Sequence, residues 1–344
     1  PLESSVKSLI NTYSKDDYST PQYSMVQEEE QPSLKQKGFP LFITVEGLFW
    51  KPGLADLNYA ILSETPSQFG STKNAKIKSI SPDWDWGLRA AMGYRFESLN
   101  SMLDLSWIYY ENNTESNIHQ TPGKVVYTMM SHPLFFFSSA KYAQGKWTLH
   151  FNQVDLEWKT TLYNSRWLAL SLGVGLRGLF ENESCRIYYK DIFFGAPSVS
   201  FDKIQLHTSF SGVGPKGCLS IVYSIFKGVS ISGLLGLSQC WGIFHMSNKE
   251  KFILANTVLI EGVNAKKSEH DTVPVMDLGL HLAWSIKMNG FLKEIKLSAG
   301  YETHYFWSIS RFFNFINNFD QGIINNDNRS VSLNGWDFGL SIFF

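Results

Sequence analysis

The chain has 344 residues, of which 44% are hydrophobic and 15% aromatic, a composition that excludes a disordered or collagen-like polymer. Charged residues reach only 18%, below the roughly 25% of soluble domains. Thirty basic against thirty-one acidic side chains leave a net charge of −1, so there is no global basic field and no nucleic acid is expected as a partner.

Residues 1–38 are polar, with the acidic run Glu28-Glu29-Glu30, prolines at 21 and 32 and no sustained apolar period; they read as a disordered N-terminal tail. The start at Pro1, without a basic and apolar leader, is expected of an exported chain whose signal peptide has been removed. From residue 39 to 344 strict alternation takes over, the period-two mark of strands with two unlike faces. Leu41, Ile43 and Val45 alternate with Thr44 and Glu46 in a first strand. Trp84, Trp86, Leu88, Ala90, Met92, Tyr94 and Phe96 then share one face, with Asp85, Arg89 and Arg95 on the other. A helix through the same residues would scatter the tryptophans and charges over all sides. A turn at 97–100 leads into Leu103, Leu105, Trp107 and Tyr109 around Asp104, which makes a hairpin.

The unit recurs. Residues 154–162, with Asp155, Glu157 and Lys159 on the polar face, pair with 168–177, where Arg177 ends the polar row. Residues 219–223 pair with 229–237, and 276–286, carrying Asp277 and His281, pair with 295–307, carrying Glu302 and His304. A last strand alternates Trp336, Phe338, Leu340, Ile342 and Phe344 with Asp337, Gly339 and Ser341. Four hairpins and two terminal strands give about ten. Segments 57–62 and 75–80 could add a hairpin and make twelve, and 121–137 is equally open. Residues 112–145, 181–203, 245–271 and 310–329 read as long polar loops, all at the end opposite the short turns.

The fold class expected is all-β, an antiparallel transmembrane β-barrel with short periplasmic turns and long extracellular loops. In a bilayer every backbone polar group must pair internally, so a sheet survives only by closing on itself. Outer-membrane lipid is then the partner of the apolar face. Trp84, Trp86, Trp107, Tyr109, Trp158, Trp167, Trp284, Trp307 and Trp336 are expected in interfacial girdles.

Several segments carry a family likeness: Phe49-Trp50-Lys51-Pro52 with Leu57-Asn58-Tyr59-Ala60, Asp83-Trp84-Asp85-Trp86-Gly87-Leu88-Arg89, Asn152-Gln153-Val154-Asp155-Leu156-Glu157, Gly173-Val174-Gly175-Leu176-Arg177-Gly178, Gly212-Val213-Gly214-Pro215-Lys216 and Trp336-Asp337-Phe338-Gly339. Together they resemble the pore-forming outer-membrane protein family of Legionella and Chlamydia-related bacteria, itself similar to the chlamydial major outer-membrane protein. The resemblance implies a porin-like role in the bacterial outer membrane and brings no catalytic site. The alternating apolar residues from Trp336 to Phe344 resemble the C-terminal signal read by the barrel-assembly machinery, a second expected partner.

None of the eight histidines sits in a hydrolase or metalloprotease motif, so no enzyme, no metal and no cofactor is expected. Cys185, Cys218 and Cys240 are too scattered for a disulfide scaffold; they read as free thiols, with an intermolecular disulfide through Cys185, placed in a surface loop, as the functional alternative. The inward Glu46, Arg89, Arg95, Asp104, Asp155, Glu157, Lys159, Arg177, Lys216, Asp277, His281, Glu302, His304 and Asp337 are the expected pore-lining set. Their signs nearly cancel, and a ten-strand interior is little wider than the eight-strand barrels that side chains fill. The expected function is passive diffusion of small hydrophilic solutes or ions, with a plugged structural or adhesive barrel as the alternative; a homo-oligomer is left open.

Overall fold

Strands that present one face to hydrocarbon have no edge to leave unpaired, and in the computed structural model of this chain the edge is removed by ring closure. The structure describes residues 41–54, 57–64, 74–132, 139–193, 199–254, 258–315 and 324–344; the expected tail, residues 1–38, lies outside them. In chain order the strands are β1 (Leu41–Leu54), β2 (Asn58–Glu64), β3 (Lys76–Ser79), β4 (Asp85–Phe96), β5 (Ser101–His119), β6 (Lys124–Thr128), β7 (Ser139–Asn164), β8 (Leu168–Phe193), β9 (Val199–Phe226), β10 (Val229–Leu254), β11 (Val258–Lys287), β12 (Glu294–Phe315) and β13 (Ile324–Phe343). Ten of them close an antiparallel ring in the order β1-β4-β5-β7-β8-β9-β10-β11-β12-β13, with β13 returning to β1. Among the described residues no helix is long and apolar enough to cross a membrane.

The twelve-strand variant is not realised. Segments 57–62 and 75–80 do pair, as β2 with β3, and β2 also pairs with β6. Among the described residues this three-stranded piece has one ladder pairing with the ring, Val126 with Ala140. At seven, four and five residues, its strands fall short of the roughly 9–11 that a tilted membrane strand needs.

The expected long loops are corrected as well. Residues 112–145, 181–203, 245–271 and 310–329 are largely strand, because β7, β8 and β10 run 26 residues and β11 runs 30. The reason is a change of solvent along each strand. On β8 the exposed residues up to Phe180 are Leu168, Leu172, Val174, Leu176 and Phe180, and inward Arg177 is buried. Beyond Phe180 the exposed residues are Asn182, Arg186, Lys190, Asp191 and, at the strand's end, Phe193, while Cys185, Ile187, Tyr189 and Ile192 are buried together with Glu181 and Glu183. Above the membrane the outer face meets water, so the apolar side chains move to the interior. Alternation persists there, but its phase inverts.

Cys185 therefore belongs to the wall rather than to a surface loop. It is a buried thiol on β8, as Cys218 and Cys240 are buried thiols on β9 and β10, and burial pushes its pKa up to about 12. A sulfur so enclosed does not reach a second chain, which removes the intermolecular-disulfide reading.

The girdle residues all project outward and exposed. Trp86, Phe49, Trp336 and Tyr301 fall in one row across β4, β1, β13 and β12. Trp158, Trp167 and Trp284 lie close to the turns at the opposite end. The tightest of these turns is Lys227-Gly228, where Gly228 takes φ +85° and a Cβ would come within 2.7 Å of the Ser285 carbonyl, two demands that only glycine meets.

Candidate functional site

Alternation sends every second side chain of a membrane strand into the barrel, and cross-strand register then decides which inward charges meet. Glu46 of β1 stands opposite Arg89 of β4, Asp155 of β7 opposite Arg177 of β8, and Asp277 of β11 opposite His304 of β12. These pairs extend into one chain of ionic contacts across the interior. Arg89 lies 2.5 Å from Glu46 and forks onto Glu302 at 2.8 and 2.7 Å. His304 bridges Glu302 at 2.9 Å and Asp277 at 2.8 Å. Arg177 reaches Asp277 at 2.7 Å and Asp155 at 2.8 Å. Lys216 joins Asp155 at 2.7 Å and also contacts Glu157, which Lys159 holds at 2.8 Å while reaching Asp104 at 2.9 Å.

Eleven ionisable residues from β1, β4, β5, β7, β8, β9, β11 and β12 thus form a single belt. Ser238 of β10 adds a hydroxyl that accepts from Arg177 at 3.2 Å. Arg177 is fully buried, whereas Arg89 and Lys159 keep side-chain exposures of 15% and 18%. Of the remaining predicted residues, His281 and Asp337 form a separate pair beside the belt, with 3.4 Å between Nε2 and Oδ2. Arg95 departs from the prediction: it is exposed at the end of β4, its guanidinium over the ring of Phe343. Its strand ends one residue later, too low to reach the belt.

Sequence reasoning missed what lies above the belt. Trp50, Tyr110, Phe151, Phe210, Phe244 and Phe306 are buried inside the ring, and Trp50 packs on the His304 imidazole at 4.9 Å between centroids. Their signal was the inverted alternation. Beyond them the chain from β6 toward β7 crosses to the far wall. The N–H groups of Met129 and Met130 donate to the Tyr189 hydroxyl, Ser131 Oγ donates to Asp202 at 2.7 Å, and the His132 N–H donates to Glu250 at 3.0 Å.

That crossing is expected to loosen as pH rises. Asp202 and Glu250 lie on extramembrane stretches of β9 and β10; burial raises both carboxyls above the ordinary carboxylate range, and the charge of Asp202 raises Glu250 further. The folded state therefore retains protons that the unfolded chain gives up. The stabilisation is complete below about pH 4 and is lost as pH climbs through the raised values. Urea midpoints of the refolded protein between pH 5 and 9 should fall with pH, and Asp202→Asn should flatten the fall; equal slopes for both proteins would refute the assignment.

Among the described residues the wall opens between β11 and β12. The ladder between β11 and β12 stops at Val275 and Phe306, although both strands continue. Pro274 offers no N–H there, and the register of β12 against β13 shifts between Phe306 and Ser310. A cavity of about 530 Å³ opens beside Leu237, Pro274, Trp307 and Asn328, spanned by Arg311, which binds Glu269 at 2.8 Å and Asp271 at 2.7 Å.

The C-terminal residues Trp336, Phe338 and Leu340 project outward from β13, with Ile342 and Phe344 half-buried at its foot. The Phe344 N–H donates to the Leu41 carbonyl at 3.0 Å, which closes the ring at its periplasmic end.

Residues 35–344 match the sequence family described as the Legionella pneumophila major outer membrane protein precursor. No curated protein matches the chain in sequence. Among solved structures, the outer-membrane protease OmpT of Escherichia coli is similar at 9% identity, covering 91% of this chain and 100% of that one, with a TM-score of 0.46. The transport unit of the autotransporter AIDA-I from E. coli is similar at 8% identity over 90% and 92% of the two chains, TM-score 0.27. A Pseudomonas aeruginosa FadL homologue is similar at 7% identity over 88% and 89%, TM-score 0.25. Identities this low carry over no activity.

Proposed function

The chain belongs to the family of the Legionella pneumophila major outer membrane protein, and on that premise we propose that this outer-membrane barrel is a narrow channel for ions and small hydrophilic solutes, with the charged belt as its constriction. The observation that carries the reading is the belt itself. Burying ion pairs costs desolvation, and well-packed hydrophobic residues of similar volume would often serve stability as well or better. Eleven ionisable groups in one lumen are therefore a costly filling for a barrel that only anchors, and a suitable lining for one that hydrates and passes ions. No catalytic step is assigned: His281 and His304 are polar wall residues paired with Asp337, Asp277 and Glu302. The outward row ending at Phe344 is assigned to recognition by the barrel-assembly machinery.

The test is conductance of the refolded protein in planar bilayers. Small discrete steps are expected, and Arg89→Glu should move the reversal potential in a salt gradient toward cation preference, since it adds negative field at a partly exposed position of the belt. Silence from both proteins would favour the second reading, a closed barrel that displays its long extramembrane strands as a contact surface. The specific support for that reading is the apolar layer above the belt, which fills the same lumen.

A further inference from the structure

We propose that His281, Glu302 and Asp337 form a binding site inside the barrel for one divalent transition-metal ion of the zinc type. His281 of β11, Gly300 of β12 and Asp337 of β13 occupy one row, and Glu302 follows two residues along β12 on the same inward face. One ligand atom from each of the three side chains lies within 4.8 Å of the others.

Two features point to a cation rather than to simple pairing. The first is Asp337, whose carboxylate is fully buried while neither oxygen accepts a hydrogen bond. A carboxylate sealed from water without a donor is costly, and such a group calls for an ion or a water beside it. The belt's cations are committed elsewhere, Arg89 to Glu46 and Glu302, and Arg177 to Asp155 and Asp277. The second is spacing. Asp337 Oδ2 stands 3.4 Å from His281 Nε2, beyond the roughly 2.7–3.2 Å of a good hydrogen bond. It is close to the edge, about 3.4 Å, of a tetrahedron whose ligands sit about 2.1 Å from a zinc ion.

The surroundings are shaped for these two side chains. A Cβ at Gly300 would stand 2.7 Å from Asp337 Oδ2 and collide with the imidazole of His281, and a Cβ at Gly279 would stand 2.7 Å from His281 Cε1. Glycine at both positions clears the space. Glu302 already accepts from Arg89 and His304, but a carboxylate has about four lone-pair positions and retains capacity for a metal. One imidazole and two carboxylates favour a zinc-type ion over calcium or magnesium, which prefer all-oxygen shells. His281 keeps 19% side-chain exposure, so the ion has a route from the lumen. The proposal stands whether or not the barrel conducts.

The experiment titrates the refolded full chain with Zn²⁺ by calorimetry and with Co²⁺ by visible absorption. One equivalent of zinc is expected, magnesium should not compete, and the bound cobalt should show the intense bands of a four-coordinate ion. His281→Asn and Asp337→Asn should each weaken zinc binding at least about tenfold. Absence of stoichiometric binding would overturn the proposal, as would affinity unchanged in both variants, which would mean that another histidine holds the ion. If neither variant folds, the wild-type cobalt spectrum decides, and a weak six-coordinate spectrum would reject the site.

Discussion

Arg177→Met is expected to lower the stability of the refolded barrel by about 3–5 kcal/mol, the cost of breaking a buried charge pair from one side. The guanidinium is fully buried and is the link between Asp155 and Asp277, so its loss leaves two carboxylates facing each other across the lumen. Lys216 relieves part of this, lying 2.7 Å from Asp155 and 3.8 Å from Asp277, and His304 still holds Asp277 at 2.8 Å. Combining Arg177→Met with Asp155→Leu and Asp277→Leu should recover most of the loss, because Lys216 keeps Glu157 and His304 keeps Glu302. Urea midpoints in lipid vesicles, converted with measured slopes, would give both numbers. A single variant within about 0.5 kcal/mol of the parent would mean that water, not the belt, solvates Asp155 and Asp277.

The second large effect separates the two faces of one strand. Leu172 is 46% exposed on the outer face of β8, between the aromatic rows. Arg there would sit in hydrocarbon and should cost about 2–4 kcal/mol. Ser171 faces inward, where its hydroxyl pairs with Thr161 at 3.3 Å, and an Arg at that position reaches the aqueous lumen and should cost clearly less. The same urea titration checks both variants. Equal losses, or a larger loss at Ser171, would mean that this strand's faces are reversed.

The belt connects these predictions to function. Its buried members hold the lumen together, and in the proposed channel its partly exposed members, Arg89 and Lys159 among them, are the ones a passing ion would meet. A metal ion held by His281, Glu302 and Asp337 would sit against the Arg89 end of the belt and narrow the same passage.

Most inward charges were legible in the sequence because a membrane strand carries a two-letter code, apolar outward and polar inward, wherever lipid is the outer solvent. Asp155, Arg177, Asp277 and Glu302 follow that code, and the structure brings them together. Arg95 obeys the code yet stands at the rim, since alternation gives a side chain's face but not its height. The extramembrane strands escaped for a different reason: beyond Phe180 on β8 the code inverts, so Glu181, Glu183 and Cys185 looked like loop residues although they are buried in the wall.

The sequence by itself determined a closed antiparallel ring of ten or twelve strands, its lipid-facing rows and the short turns at one end, because hydrogen-bond closure in hydrocarbon and the period of two require a barrel for such a pattern. Only the tertiary structure decided which charges pair, how far the strands rise above the membrane, and that β2, β3 and β6 stay outside the ring. Each of these depends on register and height between strands far apart in the chain. Glu302, for example, meets Arg89 across 213 positions, a distance at which no local pattern carries information about contact.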